Sequence, residues 1–312
     1  MVLPLSRRVV LLAAGGLLAG CSRQPEAGEV RLRLATGPAG AVYRRIGGAL
    51  AERITEQVPG VTVTTVPSGA STDNIRMLRA ERGAPRTVEP GRGGHRRRQR
   101  ARGAVRGVLG STTATCTSWS WLSSDIDDFG DVEGRRVSLG ARDSGTEFTS
   151  LRVLKLGRVN VDGRYLSQAE SAAALRDGGL DAMFSLTGVP TPAIADLAQR
   201  HPVRLIPLGG QADALVTAYP SSYTPATISA TAYAGVPATR TVAVPNVLLA
   251  RNDLPHDLVY SITETIFVHT GSIASGAEAV PEAWQINVRT GISTASIPLH
   301  PGAAAWFRDR KR

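Results

Sequence analysis

The chain has 312 residues, with 36 Lys or Arg against 26 Asp or Glu and a formal charge of +10. A hydrophobic share of 42%, with 33 Gly and 19 Pro, excludes a fibre or a wholly disordered chain, and the length suits two lobes with separate cores. Two cysteines, Cys21 and Cys116, exclude a disulfide framework and a cysteine-based zinc site.

The first element is an export signal over residues 1–20. Arg7 and Arg8 precede an apolar run from Val9 to Ala19, too short for a comfortable membrane span and lacking the polar face of a buried helix. Leu18-Ala19-Gly20-Cys21 resembles a lipobox, which implies cleavage before Cys21 and lipidation of its thiol. Ser6-Arg7-Arg8 is also similar to a twin-arginine signal. Residues 21–29 then form a polar tether. The mature chain is thus expected outside the cytoplasm, held to the cell membrane as a lipoprotein, where nucleic-acid binding is disfavoured.

Strand and helix then alternate. Val30–Leu34 alternates apolar and charged residues as a half-buried strand does. After the break at Thr36–Gly40, Val42, Ile46, Leu50 and Ile54 recur at helical spacing. Val61–Val66 predicts a second strand, and Ser71 with Asp73 the start of a helix carrying Ile75 and Leu78. Further on, Arg135–Leu139 reads as a strand, and Ser144-Gly145-Thr146-Glu147 has capping-box spacing ahead of Phe148, Leu151 and Leu154. A helix over 171–176, a buried strand over 180–184, a helix over 190–199 and a strand over 203–207 follow. Residues 219–237, rich in Pro, Ser, Thr and Ala, are expected to wind over the surface. A strand over 241–250 and a long amphipathic helix over 255–270 come next. This order predicts an α/β protein with largely parallel sheets and helices on both faces.

Three strand-to-helix junctions are rich in Gly, Ser and Thr: Thr36–Gly40, Ser68–Asn74 and Ser144–Thr146. Free N–H groups in a first helical turn suit an anion, and ligands of open α/β sheets gather at that edge. The glycines of Thr36–Gly40 lack the spacing of a dinucleotide fingerprint. His95, His201, His256, His269 and His300 fall in no metal-ligand spacing, and the aspartates between 125 and 131 do not form an EF-hand loop. No base is identifiable for Ser144. Neither a cofactor, a metal nor an enzymatic activity is expected.

Three segments together resemble the TAXI family, the solute receptors of TRAP-type transporters. They are Ala35–Tyr43, Gly69–Ser71 with Asn74, and Leu139–Thr146. Asp181–Phe184 with Gly188–Pro190, Val244–Leu248, Asp253–Pro255 and Pro298–Ala303 extend the likeness. It covers most of residues 30–80 and 122–308. The resemblance implies a two-lobed, type II periplasmic-binding-protein-like fold, a small carboxylate clamped between the lobes and delivery to a TRAP permease. The expected ligand-binding set is Gly37, Gly40, Tyr43, Ser71, Asn74, Ser144, Gly145, Thr146, Thr187 and Gly188. In chain terms, residues 30–124 would begin lobe 1, 125–218 form lobe 2, and 219–312 return to lobe 1. A transferase or hydrolase on the same bilobal fold, or a sensor subunit for a membrane kinase, are the alternatives.

The resemblance breaks between residues 81 and 121. Arg96–Arg102 and Thr112–Trp121 show neither helical nor strand periodicity, and neither is expected to pack against a sheet. A GC-rich back-translation of Gly110–Trp121, read two bases later, encodes Leu-Asp-Asp-Gly-Tyr-Val-His-Leu-Val-Val-Leu, a buried strand. The stretch is therefore compatible with a pair of compensating frameshifts. Residues 81–121 also hold nine arginines and two glutamates, a net +7, so the rest of the chain carries only +3. The basic balance is local and says little about partners.

Overall fold

The computed structural model describes residues 29–37, 41–69, 71–80, 105–275, 280–292, 294 and 297–311, with backbone alone for 105–114, 281 and 290. The export signal over 1–20, nearly all of the tether and Arg96–Arg102 lie outside the described residues. In the first lobe, β1 (Val30–Gly37) and β2 (Val61–Pro67) pair in parallel beside α1 (Val42–Gln57). The helix buries Val42, Ile46, Leu50 and Ile54, the stripe read from the sequence.

After α2 (Ser71–Ala80), the chain crosses to the second lobe along β3 (Val105–Trp121). That lobe contains β4 (Arg136–Ser138), α3 (Gly145–Gly157), β5 (Asp162–Arg164), α4 (Gln168–Arg176), β6 (Ala182–Thr187), α5 (Pro192–Arg200), β7 (Val203–Leu205), α6 (Gly210–Ala218) and β8 (Thr224–Ile228). The chain returns along β9 (Thr239–Arg251) to α7 (His256–Ser275), a short α8 (Val288–Gly291) and α9 (Pro301–Asp309). The seven-stranded sheet runs β5-β4-β6-β3-β9-β8, with β7 also paired to β3. Parallel pairing holds for β1–β2, β4–β5 and β4–β6, while every antiparallel pair includes β3 or β9. The expected α/β lobes are thus joined by a long antiparallel crossover. Among the described residues, no helix is long and apolar enough to cross a membrane.

Helices α7 and α9 close the core of the first lobe. Phe267 stacks on Trp306 with centroids 4.8 Å apart. At Gly302 a Cβ would lie 2.2 Å from the His256 carbonyl oxygen, so only glycine lets the two helix starts approach. His300, a packed turn residue by sequence, caps α9 by accepting from the Gly302 N–H at 3.2 Å.

Two expectations are overturned. Thr112–Trp121 does pack in a sheet, at its centre: Thr115–Ser120 pairs with β6, and Trp119–Trp121 with β7. Its faces serve different cores, with Cys116 packed beside Phe184 and Val242, and Trp119 beside Leu175 and Tyr233. A strand buried on both faces need not alternate, and Thr, Cys and Trp suit the pleat. Trp119, 1% exposed, satisfies its indole N–H on the Thr117 hydroxyl at 2.8 Å. The Ser118 hydroxyl is buried with no partner, at a cost of about 1–3 kcal/mol. Residues 219–237, expected on the surface, contain β8 and bury Tyr223, Tyr233 and Val236 in the second lobe. Return to the first lobe takes place within β9, where Val242 lies in one core and Ala250 in the other.

Cys116 tests the burial of β3. Desolvation pushes its thiol up to about 12 from an ordinary value of 9.0. In a Cys21→Ser protein at pH 8, a thiol reagent is expected to modify Cys116 only upon unfolding; rapid labelling of the native protein contradicts the central placement of β3. Because the folded value is raised, this thiol's stabilising contribution is complete below about pH 9 and declines as pH rises toward 12.

Candidate functional site

The chain crossing brings the starts of α2 and α3 together on the wall of one cavity of about 670 Å³. The second lobe presents Ser144 and Gly145, the first presents Ser71, Asn74 and Tyr43, and the crossover presents Asn246. Leu34, Ile46, Val66, Phe148, Leu186 and Leu248 make much of the remaining wall apolar.

Local sequence chemistry fixes both helix starts. Ser144 is the N-cap of α3, its hydroxyl accepting from the Glu147 N–H at 3.1 Å. The Glu147 carboxylate accepts from the Asp143 N–H at 2.6 Å, one residue before the cap, so the expected capping box closes one residue early. The next two amides, of Gly145 and Thr146, belong to the first turn, where N–H groups lack intrahelical acceptors. At α2, the Asp73 carboxylate accepts from the Gly69 N–H at 3.0 Å. The two starts nearly touch: a Cβ on Gly145 would lie 3.3 Å from the Ser71 hydroxyl oxygen. Tyr43 is held by Asn246, whose Nδ2 donates to its hydroxyl at 2.8 Å. The Asn74 Oδ1 is buried without a partner, an acceptor left for something in the cavity.

A latch spans the lobes beside the cavity. The Thr72 N–H donates to the Asp143 carbonyl at 3.2 Å, and Arg76 reaches the Asp143 carboxylate at 3.0 Å and that of Asp73 at 3.3 Å. The hydrogen bond to Asp143 holds the Arg76 guanidinium above its ordinary pKa. Asp143 itself sits at φ +60°, a conformation Asp tolerates better than most residues.

Of the sequence-derived set, Tyr43, Ser71, Asn74, Ser144 and Gly145 line the cavity. Four described members are not among its lining residues. The Thr146 hydroxyl accepts from the Leu186 N–H at 3.1 Å, tying α3 to β6. Thr187 is 2% exposed and its hydroxyl has no partner. Gly188 packs on Val42 of the other lobe, 3.0 Å from where its Cβ would be. Gly37 ends β1, and its carbonyl accepts from the Ser68 N–H at 3.4 Å. Gly40 and Cys21 lie outside the described residues. Sequence reasoning missed Asn246, Phe148, Arg152 and Tyr223, all lining the cavity. Asn246 stood within a quoted motif, but nothing local marked its reach to Tyr43.

Fold and site together define a two-lobed α/β protein with an interlobe cleft. The chain belongs to the NMT1-like family, whose pattern matches residues 34–310. Among solved structures it is similar to a putative L-cystine ABC transporter protein from Listeria monocytogenes. That likeness has 12% identity and a TM-score of 0.47, over 84% of this chain and 98% of the other. A protein of glutathione import in Streptococcus mutans matches at 11% identity and a TM-score of 0.47, over 80% and 92%. The periplasmic aliphatic sulphonate binding protein SsuA from Escherichia coli matches at 19% identity and a TM-score of 0.38, over 57% of this chain; the chain spans 60% of that protein.

Closure can be tested at Gly188. Gly188→Ala places a methyl group against Val42 and is expected to hold the lobes apart. Small-angle scattering should then give a larger radius of gyration than wild type, with little change in thermal midpoint. An unchanged radius would mean that Val42 yields and that this contact does not limit closure.

Proposed function

We propose that the protein is an extracytoplasmic solute-binding receptor that captures a small carboxylate, an amino acid or organic acid, between its lobes and presents it to a TRAP-type permease. The observation that carries this reading is the convergence of two helix starts from opposite lobes on one cavity. Amides at the start of α3 and the hydroxyls of Ser71 and Ser144 would hold carboxylate oxygens. Asn74 Oδ1 would accept from an amino or hydroxyl group of the solute, and Tyr43, braced by Asn246, would cover its body. Gly37, Thr146, Thr187 and Gly188 would shape the loops around the ligand rather than supply its main contacts. Occupied and closed, the two lobes would offer the permease a surface distinct from the open form.

The TRAP assignment rests on the TAXI resemblance of the motifs quoted above. Anchoring rests on Leu18-Ala19-Gly20-Cys21. Metabolic labelling with a radioactive fatty acid is expected to mark the wild-type protein and not Cys21→Ser; an unlabelled wild type removes the anchor.

Thermal denaturation with a panel of amino acids, monocarboxylates and dicarboxylates tests the receptor reading. A ligand at a hundred times its Kd stabilises the native state by about 2.7 kcal/mol, a readily measured rise in Tm. At least one carboxylate is expected to produce it. Uniform silence across the panel overturns the reading.

A further inference from the structure

Arg152 lies on the same cavity wall as the start of α3 and is absent from every motif read in the sequence. The helix contributes Ser144, Gly145, Phe148, Thr149 and Arg152 to the wall, one stripe at intervals of three and four residues. The Arg152 guanidinium sits 4.0 Å from the centre of the Phe148 ring and 3.8 Å from that of Tyr219. It also donates to the Tyr223 hydroxyl at 3.4 Å. Tyr223 is buried and is fixed from behind by Thr149, hydroxyl to hydroxyl at 3.2 Å. Among the described residues, no carboxylate pairs with Arg152. Most arginines of the second lobe do have one: Arg135 with Asp125, Arg136 with Asp181, Arg164 with Asp162 and Arg176 with Asp177.

We infer that Arg152 is the recognition residue for a second anionic group of the ligand, so that the cleft takes an elongated dianion. This rests on the carboxylate-binding reading above and names its substrate class. Arg152 stands two turns beyond Ser144, about 12 Å along the helix axis. Helical side chains lean back toward the N-terminus, and the guanidinium lies over Phe148, one turn closer. Two anions bound at these points are separated by about one to two turns, roughly 5–12 Å. The wall between them, with Phe148 and Leu186, is apolar and suits methylene groups. A dicarboxylate longer than glutarate meets all three conditions: a carboxylate for the helix start, an apolar middle and a second carboxylate for a planar fork held in aromatic surroundings.

Isothermal titration with glutarate, pimelate, azelate and heptanoate tests this on the intact protein. Wild type is expected to bind pimelate or azelate about tenfold or more tighter than heptanoate. In Arg152→Gln that ratio should fall to near one, while Arg152→Lys should retain part of it; melts of both variants verify folding. If the carboxylates bind but the dicarboxylate has no advantage in wild type, or keeps it in Arg152→Gln, the assignment of Arg152 is overturned and the receptor reading stands. If none of the four binds, the assignment of Arg152 falls, and the receptor reading is decided by the wider carboxylate and amino-acid panel above.

Discussion

The antiparallel crossover of β3 and β9 is the constraint on which the rest depends. Nine residues of β3 from Val105 to Thr115 pair with β9, and the ladder runs from Arg251 at one lobe to Ala243 at the other. Because β3 continues into β6 and β7, and β9 into β8, this pair is both the bridge between lobes and the middle of the second sheet. The starts of α2 and α3 face one another because these two strands set the distance between their lobes. A break in either strand would separate the helix starts before it disturbed either helix.

The cavity then combines two kinds of wall that act differently. Helix-start amides and hydroxyls are short, fixed donors whose geometry is set by capping, so in the proposed receptor they would discriminate by shape and charge at one end. The long apolar stretch between Leu34 and Leu248 would discriminate little by direction and would add affinity in proportion to area covered. Arg152 is a third kind of group, a charge made rigid by the rings around it. An arginine confined in this way loses less side-chain freedom on binding than one projecting into solvent.

How much of this was legible in the sequence varied by element. The α1 stripe and the Ser144 cap were plain, because both are local patterns that tertiary packing left intact. Ser71, Asn74 and Tyr43 were legible for the same reason, as residues of junctions that topology brings to one edge. By contrast, β3 was hidden because its two faces enter different cores, and Thr117, Ser118 and Ser120 are buried about as fully as Trp119. Likewise, Pro225 and the threonines of β8 look like loop residues until pairing with β9 buries Ile228. Arg152 carried no signal either, since its setting depends on Tyr223, 71 positions away and delivered by the segment read as surface.

The latch between lobes is weak for a physical reason. Its ion pair joins Arg76 and Asp143, both more than half exposed, and water screens an exposed pair until little of its attraction is left. The Thr72–Asp143 hydrogen bond adds a modest net contribution, because opening returns both groups to water. These polar contacts alone would add little to closure of the proposed receptor. In the proposed receptor, most of the closing free energy would come from a group that touches both lobes at once. In that reading the helix starts and Asn74 would make that contact, and a solute bound to one lobe alone would leave the equilibrium nearly unmoved. A weak latch is what a two-lobed binding protein requires: strong enough to define the closed geometry, and weak enough for occupancy to decide when it forms.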